Sequence, residues 1–91
     1  MNEDIRIVVL QRGWVAVGKY TRDGDHAKLE QASIVRRWGT DKGLGQLAAG
    51  GPRPNTVLDT APPIEFHTLT EVMNVRCNPE AWAKHFEQRA A

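Results

Sequence analysis

Arg36, Arg37, Trp38, Thr40 and Lys42 lie within one short stretch, and Gly43 and Gly45 follow directly. Guanidinium and ammonium groups bind phosphate, and an indole face stacks on a planar base. A threonine hydroxyl adds a further hydrogen bond to an anion. Glycines let the backbone approach a ligand closely. A short helix opening near Gly43 would turn free N–H groups and the positive end of its dipole outward. From Arg36 to Pro54 the chain reads RRWGTDKGLGQLAAGGPRP, with Arg36, Arg37, Lys42 and Arg53 set against Asp41 alone. The net charge of the whole chain is only +1, so the rest of it is net negative. A concentrated positive field attracts an anion even from a nearly neutral molecule. Arg36, Arg37, Trp38, Thr40, Lys42, Gly43 and Gly45 are therefore the candidate ligand-binding residues. A purely structural reading stands beside this one. In it the glycines shape a tight connection, Trp38 fills the interior, and Arg37 pairs with Asp59.

Other chemistries fail on spacing. GTDKGLG has no Gly-Lys-Ser/Thr to close a phosphate loop, and GLGQLA fits only the loose GxGxxA form, with no strand–helix–strand unit around it. His26, His67 and His85 are scattered without HxxxH or HExxH spacing. Asp23, Asp25 and Glu30 around His26 read as a solvated hairpin turn rather than a metal site. Ser33 lacks the glycines of a nucleophile elbow, and Cys77 with His85 makes no convincing dyad. The expectation is a protein that is not an enzyme, with no catalytic residue, no metal and no cofactor.

A chain of 91 residues predicts a single domain over 1–91. Cys77 is the one cysteine, so no disulfide forms within the chain, and it reads as a small apolar residue in a reducing compartment. The opening MNEDIRIVVLQRGW is acidic before it is apolar, unlike a secretory leader. No apolar run reaches the roughly 20 residues of a membrane span. These features predict a soluble cytoplasmic protein with no membrane partner.

The elements that must position the rim are mostly strands. IRIVVL, from Ile5 to Leu10, is β-branched and apolar on both faces, which predicts a largely buried strand. Trp14 to Tyr20 reads as a second strand, with Gly18 marking a bulge or bend. The Asp23-Gly24 turn leads into a third strand over Ala27 to Arg37. Leu29 and Ile34 have opposite parity there, so a bulge near Ala32-Ser33 is needed to keep both inward. GLGQLAAGG predicts a short helix with Leu44, Leu47 and Ala48 on one side, ended by Gly50-Gly51-Pro52. Thr56 to Leu58 reads as a short extended piece, and Ala61-Pro62-Pro63 blocks regular structure. Ile64 to His67 and Thr70 to Cys77 read as the last strands, with Leu69, Val72 and Val75 inward. Asn78 suits a helix N-cap, Pro79 the first turn and Glu80 the dipole. The helix they open carries Trp82 and Phe86 at i, i+4. That stripe either caps the sheet or packs on a neighbouring subunit, and Trp82 and Phe86 are the candidate interface residues. The predicted fold class is mainly β: a small five-stranded SH3/Sm-like β-barrel, a helical insertion at about 43–50 and a C-terminal α-helix at about 79–89.

VVLQRGWVAVGKYTRDGDHAKLEQAS, from Val8 to Ser33, resembles the first three strands of an Sm-like fold, with Gly18 in the second and Leu29 and Ala32 in the third. The Sm-like helix precedes its strands, whereas the helix read here follows them. The set RGW, RRWGT, GLG, GP and TVLD, spread over residues 5–75, resembles a family of small phage and prophage proteins. That resemblance brings no activity with it. It implies a viral context and a modulator of host machinery. Three readings follow: a homo-oligomer holding an anionic nucleotide-type ligand and sequestering a host defence signal, an Sm-like binder of single-stranded nucleic acid, and a protein-interaction module that inhibits a host protein.

Overall fold

A third strand of twelve residues, interrupted by a bulge, organises the whole sheet. The computed structural model describes residues 4–40 and 43–90, the side chains of 89 and 90 excepted. In chain order its elements are β1 (Ile5–Leu10), β2 (Val15–Asp23), β3 (His26–Arg37), α1 (Leu44–Gly50), β4 (Val57–Thr60), β5 (Ile64–His67), β6 (Glu71–Arg76) and α2 (Pro79–Ala90). Gln11–Gly13 and Thr68–Thr70 form single 3₁₀ turns.

The strands are antiparallel and run in the order β4-β3-β2-β1-β6, with β5 also on β3. The fold is mainly β, but six strands replace the expected five. The additional one is β4, read from the sequence as a short extended piece. β3 is long enough to take two partners on one side: Ser33 to Arg37 pair with β4, and His26 to Leu29 pair with β5. Ala61-Pro62-Pro63 separates the two partners, since proline has no N–H for a ladder. The expected closed barrel is also corrected: among the described residues no ladder joins β6 to β4 or β5.

Two irregularities fold the sheet over. The β2–β3 register shifts between Val17 and Lys19, and Gln31 takes a left-handed φ of 51°. The extra residue lies on β3, next to the expected bulge, and it brings Leu29 and Ile34 to the same apolar cluster. Gly18 sits opposite this bulge. A Cβ there would stand 2.9 Å from the Glu30 carbonyl oxygen and 3.1 Å from Leu29 Cβ, so the bend requires glycine.

Both faces of the sheet are buried, as IRIVVL implies. Ile5 and Ile7 join Val15, Val17, Val35 and Cys77 beneath the two helices. Val8 turns the other way, onto Ala16, Tyr20, Leu29 and Phe66 on the concave side. The helices are tied to each other as well as to the sheet. Asn78 Oδ1 accepts from the Glu80 N–H and caps α2, while the Asn78 N–H donates to the Ala48 carbonyl of α1. The buried Trp82 indole N–H is shared between the Leu47 and Ala48 carbonyls, at 3.2 Å each. Trp82 and Phe86, read as candidate interface residues, are both buried in the chain's own core. The apolar stripe of α2 covers the core shared by β1, β2 and β3.

Leu69 and Val72 are corrected too: they are 80% and 64% exposed. The 3₁₀ turn before β6 and a register shift opposite Val9/Leu10 break the alternation that would have turned them inward. Val75, beyond the shift, does pack on the helix-side core.

Trp82→Phe removes the shared donor and keeps most of the apolar volume. We expect it to lower unfolding free energy by about 1–3 kcal/mol in a urea titration with the slope unchanged. An unaltered midpoint would show that the indole bond does not hold α1.

Candidate ligand-binding rim

At the end of β3 the ladder to β4 places Ile34 opposite Asp59 and Arg37 opposite Val57. Asp59 shares the Ile34 face, and Arg36 is the next residue of β3 on that side. Arg36 Nε accordingly meets Asp59 Oδ2 at 3.1 Å, where the sequence suggested Arg37. Both side chains are largely exposed, so the pair is worth about 0–1 kcal/mol. Arg37 is exposed and makes no ion pair among the described residues.

Trp38 does not fill the interior. It is 42% exposed, and its ring edge lies beside Gly43, where a Cβ would stand 3.8 Å from Cζ3. Its backbone is held firmly. Thr56 Oγ1 donates to the Trp38 carbonyl at 2.7 Å and accepts from the Arg53 N–H at 2.9 Å. The Thr56 N–H closes the turn on the Arg53 carbonyl. Gly39, at a φ of 67°, packs directly against the Asn55–Thr56 backbone, where any side chain would collide. This crossing joins the Arg53 backbone to the Trp38 carbonyl through Thr56, and the Arg53 side chain is exposed. Arg53 is absent from the ligand set read from the sequence. The signal for it was Arg53-Pro54-Asn55, a turn sequence that returns the chain to the start of β4.

The remaining expected residues divide. Thr40 Oγ1 donates to the Gly43 carbonyl at 3.0 Å, which fixes the entry to α1 and leaves its lone pairs as acceptors. Gly45, in the first turn of α1, has open space around its Cα. Lys42, with Asp41, lies outside the described residues. α1 has only seven residues and commits Leu47 and Ala48 to the core. What the fold brings together is thus the backbone of Arg36, Arg37, Trp38 and Arg53, with Thr40, Gly43 and Gly45 on the approach to α1.

A second polar cluster lies on the concave side, and the sequence reading did not find it. Arg6 Nε donates to Asp4 Oδ1 and Arg6 NH1 to Asn74 Oδ1, both at 2.8 Å. The guanidinium lies over the Tyr20 ring, 4.9 Å from its centroid. Tyr20 OH donates to Glu71 Oε1 at 3.0 Å, and Asn74 Nδ2 to Glu71 Oε2 at 2.6 Å. The Asp4 hydrogen bond raises the Arg6 pKa, and burial followed by the Glu71 bond raises that of Tyr20. The signal was a cation within IRIVVL, on the face it shares with Val8 and Leu10. A charge there must find partners. Every member is satisfied, and the cluster ties β6 across β1 to the folded-over half of β2.

His26 Nε2 meets Glu65 Oε1 at 3.1 Å on the surface, with His67 opposite on β5. No cluster of three or more metal-ligating side chains forms among the described residues. Compared with known proteins, the chain matches no family model and no curated relative. No helix among the described residues is long and apolar enough to cross a membrane.

Cys77 is buried, and burial pushes its thiol up to about 12. In the unfolded chain it ionises near its ordinary value, so the unfolded state holds fewer protons between those two values. The Cys77 contribution to stability is therefore complete below about pH 9 and is lost as pH rises toward 12. We expect unfolding midpoints to fall above about pH 9, and Cys77→Ala to remove that part of the slope. Identical alkaline slopes in the two proteins would contradict it.

Proposed function

We propose that this chain is a non-enzymatic binding protein of the phage type its sequence resembles, assembling as a homo-oligomer and holding an anionic nucleotide-type ligand on the Arg36, Arg37, Trp38 and Arg53 rim. The observation that carries the reading is an exposed indole on a backbone fixed by Thr56, with Arg36, Arg37 and Arg53 exposed on the chain segments that meet there and Asp59, among the described residues, paired with Arg36 alone. A base laid on Trp38 would gain about 1–3 kcal/mol. Arg37 and Arg53 present planar forks to phosphate oxygens. Arg36 gives up only a weak surface pair to join them. Thr40 and Gly43 border the rim, and Lys42 and Gly45 belong to the same proposed set.

Strand order supports an opened small barrel of the SH3 or Sm kind. β4 and β5 together occupy one strand position beside β3, and the sheet folds over at Gly18. The unpaired outer edges of the sheet are what support self-association. In a phage-infected cell such a protein would act in the host cytoplasm, sequestering a nucleotide signal used in defence.

Calorimetry with a panel of cyclic and linear nucleotides tests this. Binding is expected, with Trp38→Ala weakening it about ten-fold or more and Arg37→Ala with Arg53→Ala weakening it further. No heat with any nucleotide, or unchanged binding in Trp38→Ala, would overturn the reading. Salt-dependent binding of single-stranded RNA or DNA in place of mononucleotides would favour the nucleic-acid reading.

A further inference from the structure

The two outer edges of the sheet are not alike. On one side lie β4 and β5, four residues each, interrupted by Pro62 and Pro63. On the other lies β6, six residues reading EVMNVR, without lysine or proline. Lysine, proline and short length are the usual devices that keep a sheet edge from pairing with another chain. β6 lacks all three, and among the described residues it pairs only with β1. Apolar side chains are exposed along it, Leu69 just before it at 80%, then Val72 at 64% and Met73 at 49%, with the exposed Arg76 at its end.

The ladder fixes which backbone groups are free. The Cys77 N–H donates to the Ile5 carbonyl, so inward and outward residues alternate back along β6 from that point. Val75 and Met73 turn their N–H and C=O groups toward β1. Arg76 and Asn74 turn theirs outward. Side chains alternate as well: Met73 and Val75 face the helix side, and Asn74 faces the concave side with Arg6.

We infer that β6 pairs edge to edge with β6 of a second copy of this chain, antiparallel, about a two-fold axis through Asn74. In this register Asn74 stands opposite its own counterpart, and the two exchange both backbone hydrogen bonds. Met73 of each copy packs over Val75 of the other on the helix side. Charge selects the same direction. Glu71 and Arg76 mark opposite ends of β6, so antiparallel pairing brings each cation toward the acidic end of the other strand, while parallel pairing sets like on like. A head-to-tail ring would instead need the proline-interrupted edge. This pairing deepens the homo-oligomer part of the proposed function. Arg36, Arg37 and Trp38 lie at the β3–β4 end of the strand order, away from β6, while α1 packs beside β6, so loss of nucleotide stacking on Trp38 and loss of the dimer are read separately.

Sedimentation equilibrium of the full chain over a range of concentrations tests it. The expected mass is twice the 10.2 kDa of one chain. A single-chain mass throughout, or a mass beyond two chains, overturns the proposal. Met73→Lys is expected to weaken the dimer about ten-fold or more. Thr60→Lys, on the opposite edge, is expected to leave it intact. The reverse pattern, or no effect of Met73→Lys, overturns it. Amide exchange on the unaltered protein gives a readout free of any folding defect. The Asn74 and Arg76 amides should be slow in the dimer and fast on dilution, and fast exchange at every concentration overturns the proposal.

Discussion

The short helix beside the rim is held by the Trp82 indole N–H, deep in the core. The last carbonyls of a two-turn helix have no partners of their own, and a helix that short is not stable alone in water. In this chain the Trp82 indole N–H and the Asn78 N–H reach the Leu47 and Ala48 carbonyls, and the Gly51 N–H closes the helix on Leu47. α1 is thereby pinned to α2, and α2 to β1 and β2. Trp38 is fixed at the other end of the same connection by Thr56. An exposed aromatic ring with a rigid backbone loses little freedom when a ligand stacks on it. This preorganisation separates the rim from a mere cluster of surface arginines.

Local chemistry made part of this legible in the sequence. Asn78-Pro79-Glu80 specifies a helix start whatever the fold, and α2 opens there. Opposite parity of Leu29 and Ile34 demands a bulge, and the bulge is present beside Gln31. What sequence reading missed depends on partners distant in the chain. Thr56 to Leu58 reads in the sequence only as a short extended piece, and the segment becomes a strand over Val57–Thr60 because β3 extends far enough to pair with it. Leu69 and Val72 follow an inward pattern that a 3₁₀ turn and a register shift cancel. The choice of Arg36 over Arg37 at Asp59 is a matter of register, which composition does not contain. The Arg53 backbone is joined to Trp38 only through Thr56, whose hydroxyl bridges the Arg53 N–H and the Trp38 carbonyl.

The two polar features of the molecule differ in kind. Around Arg6, each donor and acceptor meets another within the chain, and the result stiffens the concave side. Along the segment that carries Trp38, Arg37 and Arg53 are exposed, Arg36 holds only a surface pair with Asp59, and the indole is exposed. A satisfied network has little left to offer a ligand, whereas an unsatisfied one has much. The same asymmetry appears in the backbone. β3 takes a partner over most of its length, while β6 keeps one side open.

The pairing of β1 with β6 joins the earliest strand to the latest. During synthesis the chain leaves the ribosome from its N-terminus. β2 and β3 are then available to β1 at once, but the other side of β1 stays bare until residues 71–76 emerge. Trp82 emerges later still, and with it the donor that secures α1. The proposed rim is therefore among the last parts of the molecule to be completed, and a truncated chain would display its arginines without the frame that α1 and α2 supply.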